Sequence, residues 1–159
     1  MQENYELVQK GFRILHPIMA GYIGQELNRV YHQDWWKEVL YTLGDKARDL
    51  PDQGEYGDLI DSMDIATCLR LIDWKWSDVF RTKLSIDYRT WSKELMGVRN
   101  DTAHIGQQDL EARYAERALD TMALLSEAFG DTEVTEEIRA LYRTVRYGSA
   151  DGSAAASTA

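Results

Sequence analysis

Along most of this chain, apolar positions recur at alternating intervals of three and four. Tyr5, Val8, Phe12, Leu15, Met19 and Tyr22 set the pattern, and Ile23, Leu27, Val30 and Tyr31 continue it. At about 3.6 residues per turn, that spacing gathers the apolar groups into one stripe. It predicts a long helix over residues 3–32. Pro17 lies in the middle without breaking the phase, so the helix is expected to bend there. Proline removes a backbone donor and crowds the preceding turn.

The same reading extends to the rest of the chain. Asp34 is placed to cap a second helix, WWKEVLYTLGDKA. Residues 49–63, DLPDQGEYGDLIDSM, hold Pro51, Gly54, Gly57 and several acids, and read as a solvated acidic loop. Their aspartates lack the order of a calcium loop. Asp64 opens a segment in which Ile65, Leu69 and Ile72, then Trp76, Val79 and Phe80, keep helical spacing. Ser85 or Asp87 can cap the next helix, striped by Tyr88, Trp91, Leu95 and Val98. Asp109 is placed to cap another, with Tyr114, Ala118, Met122, Leu125 and Phe129 on one side and Gly130 as its stop. Val134, Ile138, Leu141 and Val145 mark a last helix over 133–146. No segment reads as a strand. The expected fold is therefore all-α, a bundle of about five to six helices. The five tryptophans fall on or beside the stripes, so core packing is their expected role.

After Tyr147 the pattern stops. The remainder, GSADGSAAASTA, has no period and no large side chains. The expected organisation is a helical domain over 1–147 and a flexible linker or tail over 148–159, tethering the domain to further parts of a longer chain.

Composition narrows the function. The chain of 159 residues is long enough to bury a core. Its single cysteine, Cys68, excludes an internal disulfide and fits a cytoplasmic setting. No apolar run approaches the ~20 residues of a membrane span, so no membrane partner is expected. The net charge of -9 weighs against a general nucleic-acid binder, because phosphate contacts draw on Lys and Arg. An RNA role requires a local basic surface. Arg89, Lys93 and Arg99 on one helix, with Lys75, Arg81 and Lys83 before it, are the candidates for that rim, and Arg89 and Lys93 are the expected RNA contacts.

The stretch VRNDTAHIG, residues 98–106, carries the candidate chemistry. Arg99 keeps its charge and offers a fork of donors to phosphate oxygens. His104 can move a proton near neutral pH. Together they suit attack by an RNA 2′-hydroxyl on the adjacent phosphorus, with Asn100 orienting the imidazole. On a regular helix Arg99 and His104 would point about 140° apart. The helix must therefore end or distort before His104, or a second copy must complete the site. The spacing alone is better matched by a solvated helix-end charge and a capping or partly buried imidazole. His16, His32 and His104 lack metal-ligand spacing and Cys68 stands alone, so no metal or cofactor is expected. The chain also lacks the glycine-rich GxxxxGK[ST] loop of an ATPase site.

Three blocks occur in order: GFRILHPIMAGYIGQELNRVYHQDWW, DIATCLRLIDWKWSDVFRTKL, and RNDTAH followed by AERALDTMALLSEAF. Over residues 10–130 they resemble the HEPN superfamily, in its Swt-one-type branch. The resemblance implies an antiparallel helical bundle that forms a homodimer, with the Arg/His motifs of both copies at a shared cleft. Active members are metal-independent endoribonucleases. By that likeness Arg99 and His104 are catalytic and Asn100 is the supporting polar residue. Other members are non-catalytic interaction modules. The branch often stands at the N-terminus of large P-loop ATPases in prokaryotic defence loci.

Overall fold

The computed structural model describes residues 3–148. Seven α-helices follow one another: α1 (Glu3–Tyr31), α2 (Trp35–Leu43), α3 (Tyr56–Ser62), α4 (Ile65–Trp74), α5 (Ile86–Ala103), α6 (Ala112–Ser126) and α7 (Thr132–Tyr147). Short 3-10 turns lead into α2 and follow α2, α4 and α6, and no strand occurs among the described residues. The all-α expectation holds. The expected tail, from residue 149 onward, lies outside the described residues.

The long first helix is the spine. It runs without interruption through Pro17 and packs against α2, α3, α4, α6 and α7. Val8, Leu15, Met19, Ile23 and Leu27 on it are fully buried. A helix with so many neighbours needs places where they can come close. Gly24 is one, since a Cβ there would stand 2.0 Å from the Ile60 side chain of α3.

That contact explains a correction. The stretch read as loop contains α3 over Tyr56–Ser62. Leu59 and Met63, four residues apart, are both buried. Their two anchors, with Ile60 against Gly24, offset the weak local propensity of a short acidic segment. His16 of α1 adds to this junction by donating from its ring to the Met63 carbonyl. Asp64 then caps α4 by accepting from the Thr67 amide, as its position predicts.

Three other expected caps differ. Asp34 and Ser85 stand at the N-cap positions of α2 and α5 but accept no backbone bond there, and Asp87 lies inside the first turn of α5. Asp109 does not cap α6, which starts at Ala112 behind Glu111. It reaches instead across the fold to the start of α1, accepting from the Asn4 amide at 3.1 Å and the Tyr5 amide at 2.8 Å. The Asn4 side chain returns a bond to the Leu110 carbonyl. The loop after α5 thus supplies the cap for α1, satisfying donors that a helix start leaves orphaned.

Burial pushes the Asp109 carboxyl upward, but its bonds from the Tyr5, Asn4 and Leu110 amides outweigh that and hold it below the usual carboxylate range. A depressed pKa contributes stability above the unfolded value, about 3.9, and loses it as pH falls through the folded one. Asp109→Ala should cost about 1 kcal/mol at neutral pH. Thermal unfolding checks this: the gap in midpoint between variant and parent should narrow below about pH 4.

Lys75 follows α4 and is nearly enclosed, with its side chain 8% exposed. Its ammonium donates to the Tyr31 hydroxyl at 2.8 Å and the Glu38 carboxylate at 2.9 Å, with Asp78 at 3.7 Å. It ties α1 and α2 to the end of α4. Cys68, on the inner side of α4, is fully buried, and burial pushes its thiol pKa up. A buried thiol in such surroundings is inert.

Candidate functional site

Helix α5 carries the Arg99 to His104 stretch at its C-terminal end. It lies between α4 and α6 and shows a different chemistry to each. Toward α6 its polar groups are engaged. The Glu94 carboxylate accepts from two Arg117 nitrogens, Nη2 at 2.8 Å and Nε at 3.1 Å, and from the Thr121 hydroxyl at 2.5 Å. Arg117 chiefly holds the Glu94 carboxyl below its ordinary range. Tyr114 donates to Asp101, about two turns further along α5, and burial with that carboxylate raises its phenol. This side of α5 is a fastened seam.

The α4 side is open. A cleft of about 270 Å³ runs between the two helices. Leu69, Ser92 and Met96 form its inner wall, and Asn100 lies at its end. Arg99 is three residues beyond Met96, the spacing that keeps two side chains on one side of a helix. It is half-buried, and among the described residues its guanidinium has no ion pair or hydrogen bond.

The helix ends at Ala103. His104 takes the C-cap position with φ -121° and ψ 11°, and its amide closes a tight turn onto the Asp101 carbonyl. Of the two alternatives set by the ~140° offset, the helix end is present: His104 has left the helical course. Its ring is exposed, and like the Asn100 side chain it bonds to no described residue. The structure places Arg99 and Asn100 on one turn and His104 just past the helix end. No bond joins Asn100 to the imidazole.

The basic rim differs from its prediction. Arg89 bonds Asp73 at 2.8 Å, and Lys93 lies 3.9 Å from the same carboxylate. Lys75 belongs to the interior and adds nothing to the surface. Arg81 and Lys83 are exposed in the turn after α4, and their side chains bond to nothing described. Three groups that sequence reasoning passed over line the open cleft instead: Lys46, Arg70 and Trp74. Trp74 was expected in the core, yet it is 46% exposed, whereas Trp35, Trp36 and Trp76 are buried. The available signal was phase, since Trp74 falls off the Leu69, Ile72, Trp76 stripe and stands four residues after Arg70.

Among the described residues, no group of three or more His, Cys, Asp or Glu is placed to hold a metal ion, and no helix is long and apolar enough to cross a membrane. Comparison with curated proteins and with solved structures returned no match. A family model, described as Swt1-like HEPN, matches residues 10–130. That span takes in α1 from its second turn, the whole of α2 to α6 and every residue of the open cleft. The chain belongs to the Swt1-like HEPN family.

Proposed function

We propose that this chain is an RNA-directed domain and a metal-independent endoribonuclease that works as a homodimer. The observation that carries this reading is the helix end at Ala103, which frees His104 from the course of α5 while Arg99 stays unpaired beside an open cleft. Family membership supports the same direction. In the proposed reaction the 2′-hydroxyl oxygen bonds to phosphorus and the bond to the 5′-oxygen breaks. The products are a 2′,3′-cyclic phosphate and a free 5′-hydroxyl. One His104 takes the proton from the 2′-hydroxyl, and the other copy gives one to the leaving oxygen. Arg99 stabilises the charge that builds on the phosphoryl oxygens, and Asn100 supports the pair.

An RNA cleavage assay in the presence of chelator tests this, with one substrate carrying a single 2′-deoxy substitution at the cleaved position. Cleavage should stop at that position alone. Cutting that persists there would sink the mechanism.

A composite site also requires two copies. Sedimentation equilibrium at micromolar concentration should give twice the 18.3 kDa chain mass. A strictly monomeric mass would remove the shared cleft. The second reading is a non-catalytic dimerisation or tethering module within a longer ATPase-type protein. It is favoured by the net charge of -9 and by the engagement of Arg89 and Lys93 with Asp73.

A further inference from the structure

The open cleft between α4 and α5 holds more than the Arg/His motif needs. Lys46 and Arg70 reach it from one side and Lys93 from the other, with Asp73 the only carboxylate on its lining. The side chains of Lys46 and Arg70 bond to no described residue, so neither cation is spent inside the fold. Asp73 is occupied by Arg89 and Lys93, which holds both cations beside the cleft rather than adding free negative charge. Trp74, nearly half exposed, stands among these cations, one turn beyond Arg70.

An exposed indole next to unpaired cations has an unsatisfied face and a local positive field. Single-stranded nucleic acids supply both complements, a flat base and a phosphate on the same unit. The cleft also has direction. From Lys93 to Asn100 it follows α5 for about 10 Å, the reach of about three stacked nucleotides at 3.4 Å each. Its far end is Asn100, adjacent to Arg99.

We propose that this cleft is a subsite for a single-stranded RNA segment flanking the scissile phosphate, with one base stacked on Trp74 and the backbone held by Arg70 and Lys46. The proposal rests on the RNA-directed reading above and gives that site its substrate form, an unpaired strand. An acidic protein partner would use the cations but gain little from the flat indole face.

The test uses a fluorescent 2′-O-methyl RNA 12-mer, which binds but cannot be cut at the blocked hydroxyl. Anisotropy titrations at several salt concentrations give affinity and salt slope. Trp74→Ala should weaken binding by about tenfold or more, while Trp74→Phe, which keeps a ring, should stay within roughly threefold of the parent. Arg70→Ala should lower the slope of log affinity against log salt by about 0.7, one phosphate contact on a single strand. Inorganic polyphosphate, which has charge but no bases, should bind parent and Trp74→Ala equally. Circular dichroism confirms that each variant is folded, and Trp74→Leu, which keeps apolar bulk without an aromatic face, should lose affinity as Trp74→Ala does and replaces it if Trp74→Ala is not folded.

The inference is overturned if the parent does not bind the 12-mer at low salt. It is also overturned if affinity depends on Arg70 but not on the ring at 74, which would mean a bare anion patch. Adenosine monophosphate competing as well as the oligomer would assign the cleft to a free nucleotide and overturn the strand reading. Because this probe reports binding alone, a chain that binds through Trp74 but never cleaves would refute the nuclease and leave the subsite standing.

Discussion

Arg99→Ala and His104→Ala are each expected to abolish RNA cleavage and to leave the thermal midpoint unchanged. The two halves of this result have separate causes. Arg99 is the only arginine on α5 at the Asn100 end of the cleft, and a donor aimed at developing charge is typically worth ~3 kcal/mol or more. In the proposed reaction His104 carries the proton, an effect of typically ~10²–10⁴-fold. Neither side chain bonds to a described residue, so neither deletion removes a structural contact of that kind. Asn100→Ala should cost less, since it supports rather than reacts. If one copy of His104 acts as base and the other as acid, as proposed, the pH profile of cleavage should be bell-shaped. Single-turnover rates on a defined oligonucleotide are the measurement. A His104→Ala rate within a few-fold of the parent would leave the family's non-catalytic reading in place.

The second large effect concerns the enclosed ammonium of Lys75. Glu38→Ala should destabilise the fold by about 2–3 kcal/mol, read from urea midpoints. Breaking a fully buried pair typically costs about 3–5 kcal/mol; here only the Lys75 end is enclosed and Glu38 is one-third exposed, which places the loss below that range. Tyr31 and Asp78 remain near the ammonium and soften that loss. Lys75→Met, which removes the charge itself and keeps much of the volume, should cost clearly less than Glu38→Ala. The pair also has a pH signature. Burial lowers the Lys75 pKa, but its bonds to Tyr31 and Glu38 outweigh burial and leave it raised. Its stabilisation is therefore complete below the unfolded value, about 10.4. It is lost as pH climbs through the higher folded value. Equal urea midpoints for Glu38→Ala and Lys75→Met would contradict this account.

What the chain disclosed in advance follows from the reach of each interaction. Helical stripes depend on neighbours three and four apart, so α1 was legible through Pro17 and α7 was placed within a residue of each end. The short α3 was not, because two anchors, Leu59 and Met63, amid glycines and acids make no pattern until α1 lies beside them. Asp109 looked like a local cap and proved to be a distant one, satisfying Asn4 and Tyr5 over a separation that spacing cannot reveal. The same limit applied at the site. The angle left two ways for Arg99 and His104 to meet, a helix end before His104 or a second copy of the chain, and the helix does end at Ala103. That Arg89 and Lys93 would share Asp73, and that Trp74 would face outward beside Arg70, depended on how α4 lies against α5.

The burial of Cys68 has a practical consequence for the two-copy question. With its only thiol sealed in the core, the chain is effectively blank to maleimide and nitroxide reagents. A cysteine introduced at an exposed position such as Gln107 would be the sole labelled point on each subunit. Paired spin labels would then report a single distance across any two-fold axis, and so locate the two His104 loops relative to each other in solution.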